Sequence, residues 1–373
     1  MTKRIFVSTG EASGELAAVE LAAAMSSLDP NLRFEGIGAQ RMRDAGFAVR
    51  WNTEGWAAMG PIEALGKIPK LLAIALITAA ELRARPPDLV VLVDFGAFNL
   101  RMARQMRRTG YTGPICYYFP PGAWLDDPRR ARMVARAAHA VTPFAHQRDF
   151  YASLGLPVQF FGHPLVSTIP ERPARPPREP GGGKIAILPG SRRGEIARHA
   201  RLLLDAARLL RLRRPRTEFV LGAADDEAET FLRDLAQAAP DVPATIVRGA
   251  RTALEDADAA WIASGTAVLE AALLGVPTVA LYVVSRAQLP MARRLVARVG
   301  LNYLTLPNLV LDAPVVPELW QEQATQTGLV ASLESVLDDA TGQRAAFARL
   351  REVLGPPDAL ERTAAFVVEL VRR

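Results

Sequence analysis

Residues 262–282 read IASGTAVLEAALLGVPTVALY, and this stretch decides the fold. Trp261 to Ala263 closes an apolar strand, Ser264-Gly265-Thr266 makes a small polar turn, Ala267 to Leu274 holds strong helix formers, and Gly275 with Pro277 stops the helix. A second strand, Thr278 to Tyr282, follows directly. The turn offers backbone N–H groups and hydroxyls at a helix N-terminus, where the dipole favours an anion, so Ser264, Gly265 and Thr266 read as a phosphate cradle. Gly265 lets a ligand approach the backbone. Glu270, one turn beyond Thr266 on the same helical face, can accept hydrogen bonds from a sugar hydroxyl beside the phosphate. On this stretch alone, a simple helix cap with a solvated Glu270 fits equally well.

The same logic appears twice more. Lys184 to Leu188 reads as a strand, followed by Pro189-Gly190-Ser191-Arg192-Arg193-Gly194-Glu195 and a helix from Ile196. Gly190, Ser191 and two arginines at a helix start read as an anion site in preference to a basic surface turn, and Arg192 can neutralise a diphosphate leaving group with paired N–H bonds. Near the start of the chain, Arg4 to Thr9 reads as a strand, then comes GEASGE (10–15) and a helix over Leu16 to Ser26. No G-x-G-x-x-G and no Walker lysine is present, so neither the usual dinucleotide turn nor a P-loop is indicated. Glu11 would repel a phosphate and suits a neutral or hydroxyl-bearing ligand, with Ser13 and Gly14 beside it, or is simply a favourable charge near a helix start. Glu15 reads as a favourable charge near a helix start.

Leu89 to Val93 is a continuous apolar strand of the kind buried in parallel sheets, ending at Asp94. An acid at the carboxyl end of such a strand faces the ligand crevice of a doubly wound sheet, which makes Asp94 a candidate general base. The bland alternative is an N-cap for a helix from Phe98 onward. Further strands are expected at Arg33 to Ile37, Pro114 to Tyr118, Ala140 to Thr142, Glu218 to Leu221, Ala244 to Val247 and Ala259 to Ile262. The helix around Leu71 to Ala80 carries an apolar face of Leu71, Ile74, Ala75 and Leu76 between Lys67, Lys70, Arg83 and Arg85. It reads as a core-facing helix, or as one resting at a membrane interface. Asp256 and Asp258 precede a strand and so lie at the wrong end for chemistry. The four histidines have no metal-ligand spacing, and His163 in its Gly-His-Pro turn reads as structural. Arg286 to Arg298 reads as a basic helix, Asn308 as a turn residue able to donate to a carbonyl or phosphate, and the chain closes with two helices.

Length and composition frame this alternation. At 373 residues, half of them hydrophobic, the chain suits two α/β domains. Residues 170–183 hold five prolines and three glycines and read as the linker. The expected division is therefore a first α/β domain over 1–169, a second over 184–340, and closing helices over 341–373. A lone cysteine, Cys116, excludes an internal disulfide, and with no signal peptide or membrane-spanning run the expected compartment is the cytoplasm. A net charge of +6 suits an acidic partner such as a nucleotide, a phospholipid surface or nucleic acid, although an arginine-rich proteome gives the same value.

Taken in order, GEASGE (10–15), MGPIEALGKIPKLL (59–72), Asp94 with Phe98-Asn99, FFGHPL (160–165), LPGSRRGEI (188–196), SGTAVLEAALLGVP (264–277), LPNLVL (306–311) and VVPELWQE (315–322) resemble the lipid-A-disaccharide synthase family of glycosyltransferases. The resemblance implies two Rossmann-like domains facing a cleft, the GT-B architecture, with a UDP-sugar held by the C-terminal domain and a lipid-linked sugar acceptor by the N-terminal one. It implies no metal or other cofactor, no nucleic acid, a peripheral place on the cytoplasmic face of the membrane, and importance for activity at Asp94, Arg192 and Asn308. The implied reaction is inverting transfer of 2,3-diacylglucosamine from UDP to 2,3-diacylglucosamine 1-phosphate. The rivals are a UDP-GlcNAc 2-epimerase-like enzyme and a non-catalytic UDP- or lipid-binding relative. The oligomeric state stays open, a homodimer included. Departures cluster on the acceptor side: Gly96 and Ala97 replace a proline and an aspartate of the family pattern, and Trp124 is followed by Leu125-Asp126-Asp127 in place of its W-R end. On the donor side, Val283 replaces a lysine.

Overall fold

The computed structural model describes residues 2–56, 61–122, 124–172, 182–300 and 302–372. Met59 and Gly60 of the 59–72 motif, and residues 173–181 of the expected linker, lie outside the described residues. The chain divides into two compact units: residues to Thr168 together with those from Leu354 onward, and Ile169–Val353.

The first unit is built on strands β1 (Lys3–Ser8), β2 (Leu32–Gly38), β3 (Ala48–Asn52), β4 (Leu89–Val93), β5 (Ile115–Tyr118), β6 (His139–Thr142) and β7 (Gln159–Phe160). All pair in parallel, in the order β3-β2-β1-β4-β5-β6-β7. Its helices are α1 (Ala12–Leu28), α2 (Gln40–Asp44), α3 (Pro61–Ala84), α4 (Gly96–Arg108), α5 (Pro128–Ala137), α6 (Ala145–Ser153) and α7 (Leu165–Thr168). Strand β4 is buried throughout, and its alternate side chains serve opposite faces. Leu89, Val91 and Val93 join a core with α1, whereas Val90 and Leu92 join another with α3 and α4.

The second unit carries β8 (Gly182–Leu188), β9 (Arg216–Ala223), β10 (Ala244–Arg248), β11 (Ala259–Ala263), β12 (Thr278–Tyr282) and β13 (Glu318–Trp320), again all parallel, in the order β10-β9-β8-β11-β12-β13. Its helices are α8 (Arg193–Arg213), α9 (Asp226–Gln237), α10 (Ala250–Leu254), α11 (Thr266–Leu273), α12 (Leu289–Val299), α13 (Leu306–Leu311), α14 (Gln326–Asp338) and α15 (Thr341–Leu354). Trp261 is fully buried among residues of α8 and α14 and donates its indole N–H to the Leu329 carbonyl at 3.1 Å. The last helix, α16 (Ala359–Arg372), returns to the first unit, where Ala364, Val367 and Val368 pack with α1.

Several expectations need correction. Three helices, not two, close the chain, because Gly355-Pro356-Pro357 separates α15 from α16. The linker range contains structure, since Gly182 already pairs with Arg216 as β8 begins. The basic helix starts at Leu289 rather than Arg286, with Pro290 in its first turn. Helix α3 is apolar on more than its inner face: Ile74, Ala75, Ala79 and Leu82 are buried, but Leu76, expected among them, is exposed with Ile68, Leu72 and Ile77.

Candidate active site

In a doubly wound sheet, ligands gather where the strand order reverses, outside the carboxyl ends of the strands. In the first unit that point lies between β1 and β4, and in the second between β8 and β11. The four loops leaving those strands are GEASGE, the Asp94 turn, the Gly190 to Glu195 turn and the Ser264 to Thr266 turn. Each half of the fold thus brings two of the motifs together at its switch point.

In the first unit the two loops are in contact. A Cβ on Gly10 would sit 2.4 Å from the ring of Phe95, so only glycine fits there. Glu11 occupies the N-cap position of α1 without a side-chain capping bond, and Ser13 is exposed on the first turn. Glu15 turns inward and accepts the Ala39 and Met42 N–H groups at 2.7 and 3.0 Å, which fixes the start of α2. Asp94 and Phe95 both adopt left-handed backbone, φ 47° each, a conformation that costs side-chain-bearing residues about 1–3 kcal/mol. Asn99 holds them there. Its fully buried amide donates to the carbonyls of Ser8, Val93 and Asp94 at 3.1, 3.2 and 2.9 Å, while its oxygen accepts from the Ser8 hydroxyl at 2.7 Å. Tyr117 adds a phenol bond to the Asp94 carbonyl at 3.1 Å. The helix that follows begins at Gly96 with Phe95 at its N-cap, so Asp94 is not the cap that the sequence allowed for.

In the second unit, Leu188 pairs with Ile262, which sets the turns after β8 and β11 side by side. Gly190 has φ +121°, and a Cβ there would lie 3.0 Å from that of Glu195. Ser191 is exposed, and Arg192 stands at the N-cap of α8, its guanidinium 3.1 Å from Glu195. Helix α11 begins at Thr266 behind Gly265, an N-cap residue with no side chain to cap the first turn. Ser264 donates its hydroxyl to the Leu304 carbonyl over a long 3.4 Å. Glu270 is buried on α11, and Arg251 of α10 donates Nε–H to it at 2.8 Å. The solvated first-turn acid allowed by the sequence is therefore not what the fold contains.

Asn308 is placed differently from a ligand-facing turn residue. It is buried at the start of α13, donates to the Val316 carbonyl at 2.8 Å and to Glu318 at 2.9 Å, and accepts the Val316 N–H at 2.7 Å. Its amide holds the turn rather than pointing outward. His199, passed over in the sequence, ties the Pro189 carbonyl at 2.9 Å to the Val283 N–H at 3.0 Å, bracing the Arg192 turn against the end of β12. Burial keeps its ring below the ordinary histidine range. Asp258 accepts the Lys184 N–H at 2.6 Å, a structural role consistent with its position before a strand. Arg251 lacked a local signal, and the quoted motifs that contain Asn99 and Glu318 gave no sign of the bonds each makes to other elements, Asn99 to Ser8 and Glu318 to Leu304 and Thr305.

Comparison with known proteins accords with this arrangement. The model of the lipid-A-disaccharide synthetase family matches residues 5–356. The chain is 33% identical to the lipid-A-disaccharide synthase of Geobacter metallireducens, covering 99% of this chain and 97% of that protein. It is 34% identical to the enzyme of that name from Pseudomonas aeruginosa, covering 99% and 98%. Among solved structures, a putative UDP-N-acetylglucosamine 2-epimerase from Listeria monocytogenes superposes with TM-score 0.65 at 13% identity, covering 99% of this chain and 96% of that one. The UDP-GlcNAc 2-epimerase from Neisseria meningitidis, solved with UDP-GlcNAc, gives 0.62 at 12%, covering 99% and 100%. At such identities the structures establish the GT-B-type fold alone, whereas the sequence relatives establish descent. The chain belongs to the lipid-A-disaccharide synthase family of glycosyltransferases.

Proposed function

We infer that this protein transfers 2,3-diacylglucosamine from its UDP donor to 2,3-diacylglucosamine 1-phosphate with inversion at the transferred carbon. The observation that carries the reading is the pairing of two anion-suited turns, Gly190 to Glu195 and Ser264 to Thr266, on adjacent strands at one switch point. In this reading they take the UDP diphosphate, and Glu270 takes the ribose. The acceptor hydroxyl oxygen attacks C1 of the donor sugar, its proton passes to the Asp94 carboxylate, and the bond from C1 to the UDP oxygen breaks. Negative charge then develops on the leaving diphosphate, where Arg192 and the α11 N–H groups are best placed to stabilise it. Asn308 supports this side indirectly, through the turn that it holds.

The acylated substrates bring a membrane into the reading. No helix among the described residues is long and apolar enough to cross one. Ile68, Leu72 and Leu76, spaced four apart on α3, instead form an exposed apolar stripe, with Lys70 near its start and Arg83 and Arg85 at its far end. Such a helix can lie in the headgroup region of a bilayer, its cations meeting anionic lipids. In this reading the protein sits peripherally at the inner face of the membrane. The test of the function is to supply both acylated substrates and look for UDP and a lipid-linked disaccharide. Epimerised sugar from UDP-GlcNAc would point to the rival chemistry.

A further inference from the structure

We propose that Glu318 is a positioning residue for the donor diphosphate, setting the Ser264 turn through the segment Leu304 to Asn308, a role that rests on UDP being held by the second unit. Glu318 opens the edge strand β13 and pairs with Ala280 of β12, so its backbone is fixed to the sheet. Its carboxylate gathers four donors from one short segment. Oε1 accepts the Thr305 N–H at 2.8 Å, the Thr305 hydroxyl at 2.7 Å and the Asn308 amide at 2.9 Å. The Leu304 N–H lies 3.1 Å from Oε1 and 3.0 Å from Oε2. Such charge-assisted bonds are about twice as strong as neutral ones.

Leu304 is the link. Its N–H is held by Glu318 and its carbonyl receives the Ser264 hydroxyl. Thr305 and Asn308 are each 1% exposed, so the segment is packed as well as bonded. Asn308 adds two bonds to the Val316 backbone, two residues before Glu318, which closes the loop onto the strand. The Leu304 carbonyl therefore has a fixed position, and with it the hydroxyl that begins the phosphate turn. At 3.4 Å the Ser264 bond is long enough for the hydroxyl proton to be redirected to an incoming phosphate oxygen. Glu318 keeps that hydroxyl in place without touching the ligand.

Glu318→Gln retains the size of the side chain but sets either an N–H₂ donor against the Leu304 N–H or a neutral oxygen where the carboxylate gathered its bonds. The experiment measures UDP affinity by titration calorimetry for the unchanged protein, Glu318→Gln, Ser264→Ala and the double variant. A roughly tenfold loss of UDP affinity is expected for Glu318→Gln, matching the value of a hydrogen bond to a charged group. The Ser264→Ala loss should largely vanish in the Glu318→Gln background, because the two residues act on one element. UDP affinity within twofold of the unchanged protein, or losses that simply multiply, overturns the proposal. Should Glu318→Gln fail to fold, Thr305→Val removes a single donor to the carboxylate. It is expected to weaken UDP about threefold, and unaltered affinity there overturns the proposal equally. If Ser264→Ala and Arg192→Ala both bind UDP normally, the donor site itself is wrongly placed and the proposal falls with it. Normal binding by Glu318→Gln alone leaves the donor site standing.

Discussion

The Asn99 side chain donates to the main-chain carbonyl of Asp94 at 2.9 Å, and the same amide donates to the last carbonyl of β4 and to the end of β1. One buried side chain thus fixes a left-handed turn that would otherwise relax, and with it the direction of the Asp94 carboxylate. Asn99→Ala should lower turnover by roughly 10²-fold, the scale of a misplacement near 1 Å. If UDP is held by the second unit, its affinity should stay within twofold. Steady-state kinetics with calorimetry checks this, and a fall in UDP affinity with turnover preserved would reverse the assignment.

Arg251 and Glu270 give a prediction about the nucleotide. The pair is buried on the carboxylate side, so removing Arg251 leaves a buried charge without its Nε–H partner. If Glu270 receives the ribose, the protein prefers UDP over 2′-deoxy-UDP or 3′-deoxy-UDP by about tenfold or more, the value of a hydrogen bond to a charged acceptor. Glu270→Gln and Arg251→Met should each collapse that preference. A preference that survives both substitutions removes Glu270 from ribose binding.

Much of this architecture was legible in the sequence. Leu89 to Val93 and Thr278 to Tyr282 form strands with the expected bounds because a strand buried on both faces is an unbroken apolar run. The edge strands β3 and β13 were not legible: Ala48–Asn52 is alternately exposed and half-buried, and Glu318–Trp320 is only three residues long. The site divides in the same way. Turns that announce themselves by glycine, serine and arginine were readable, and Asp94 was marked by the strand before it. Side chains that hold those turns were not, since Asn99 meets Ser8 across 91 residues of chain and Arg251 meets Glu270 from another helix. The full environment of α3 was equally out of reach, because a sequence that is apolar around much of a helix does not say which side finds a core.

His163 makes a prediction about pH. Its ring is buried between Phe119 and Phe144, Nδ1 accepts the Leu165 N–H at 3.2 Å, and burial holds its pKa down to about 3 from an ordinary 6.5. Between those values the unfolded chain binds a proton that the folded one refuses, so stability falls as pH drops from 6.5 towards 3, by an amount on the order of a few kcal/mol. His163→Phe should be less stable at pH 7, where the Leu165 bond is lost, and the gap to the unchanged protein should narrow as pH falls. Chemical denaturation across that range checks the sign, and a constant gap contradicts it.

The exposed stripe of α3 predicts membrane binding. Leu72 and Leu76 are 37% and 43% exposed, so changing both to Gln should leave the melting temperature nearly unaltered. Co-sedimentation with vesicles containing anionic phospholipid should nevertheless fall several-fold, because each leucine contributes apolar area to the interface. Undiminished sedimentation would assign the stripe to some other contact.

Sugar transfer itself is tested most directly by incubating the protein with UDP-2,3-diacylglucosamine and 2,3-diacylglucosamine 1-phosphate, alongside its Asp94→Asn variant, and following UDP release and the lipid product. The expected result is stoichiometric UDP and a phosphorylated, tetraacylated disaccharide from the unchanged protein, with turnover at least about 10²-fold lower in the variant and UDP affinity preserved. Failure of the unchanged protein to release UDP or form the disaccharide would contradict sugar transfer, and equal turnover by the variant would remove Asp94 from the reaction.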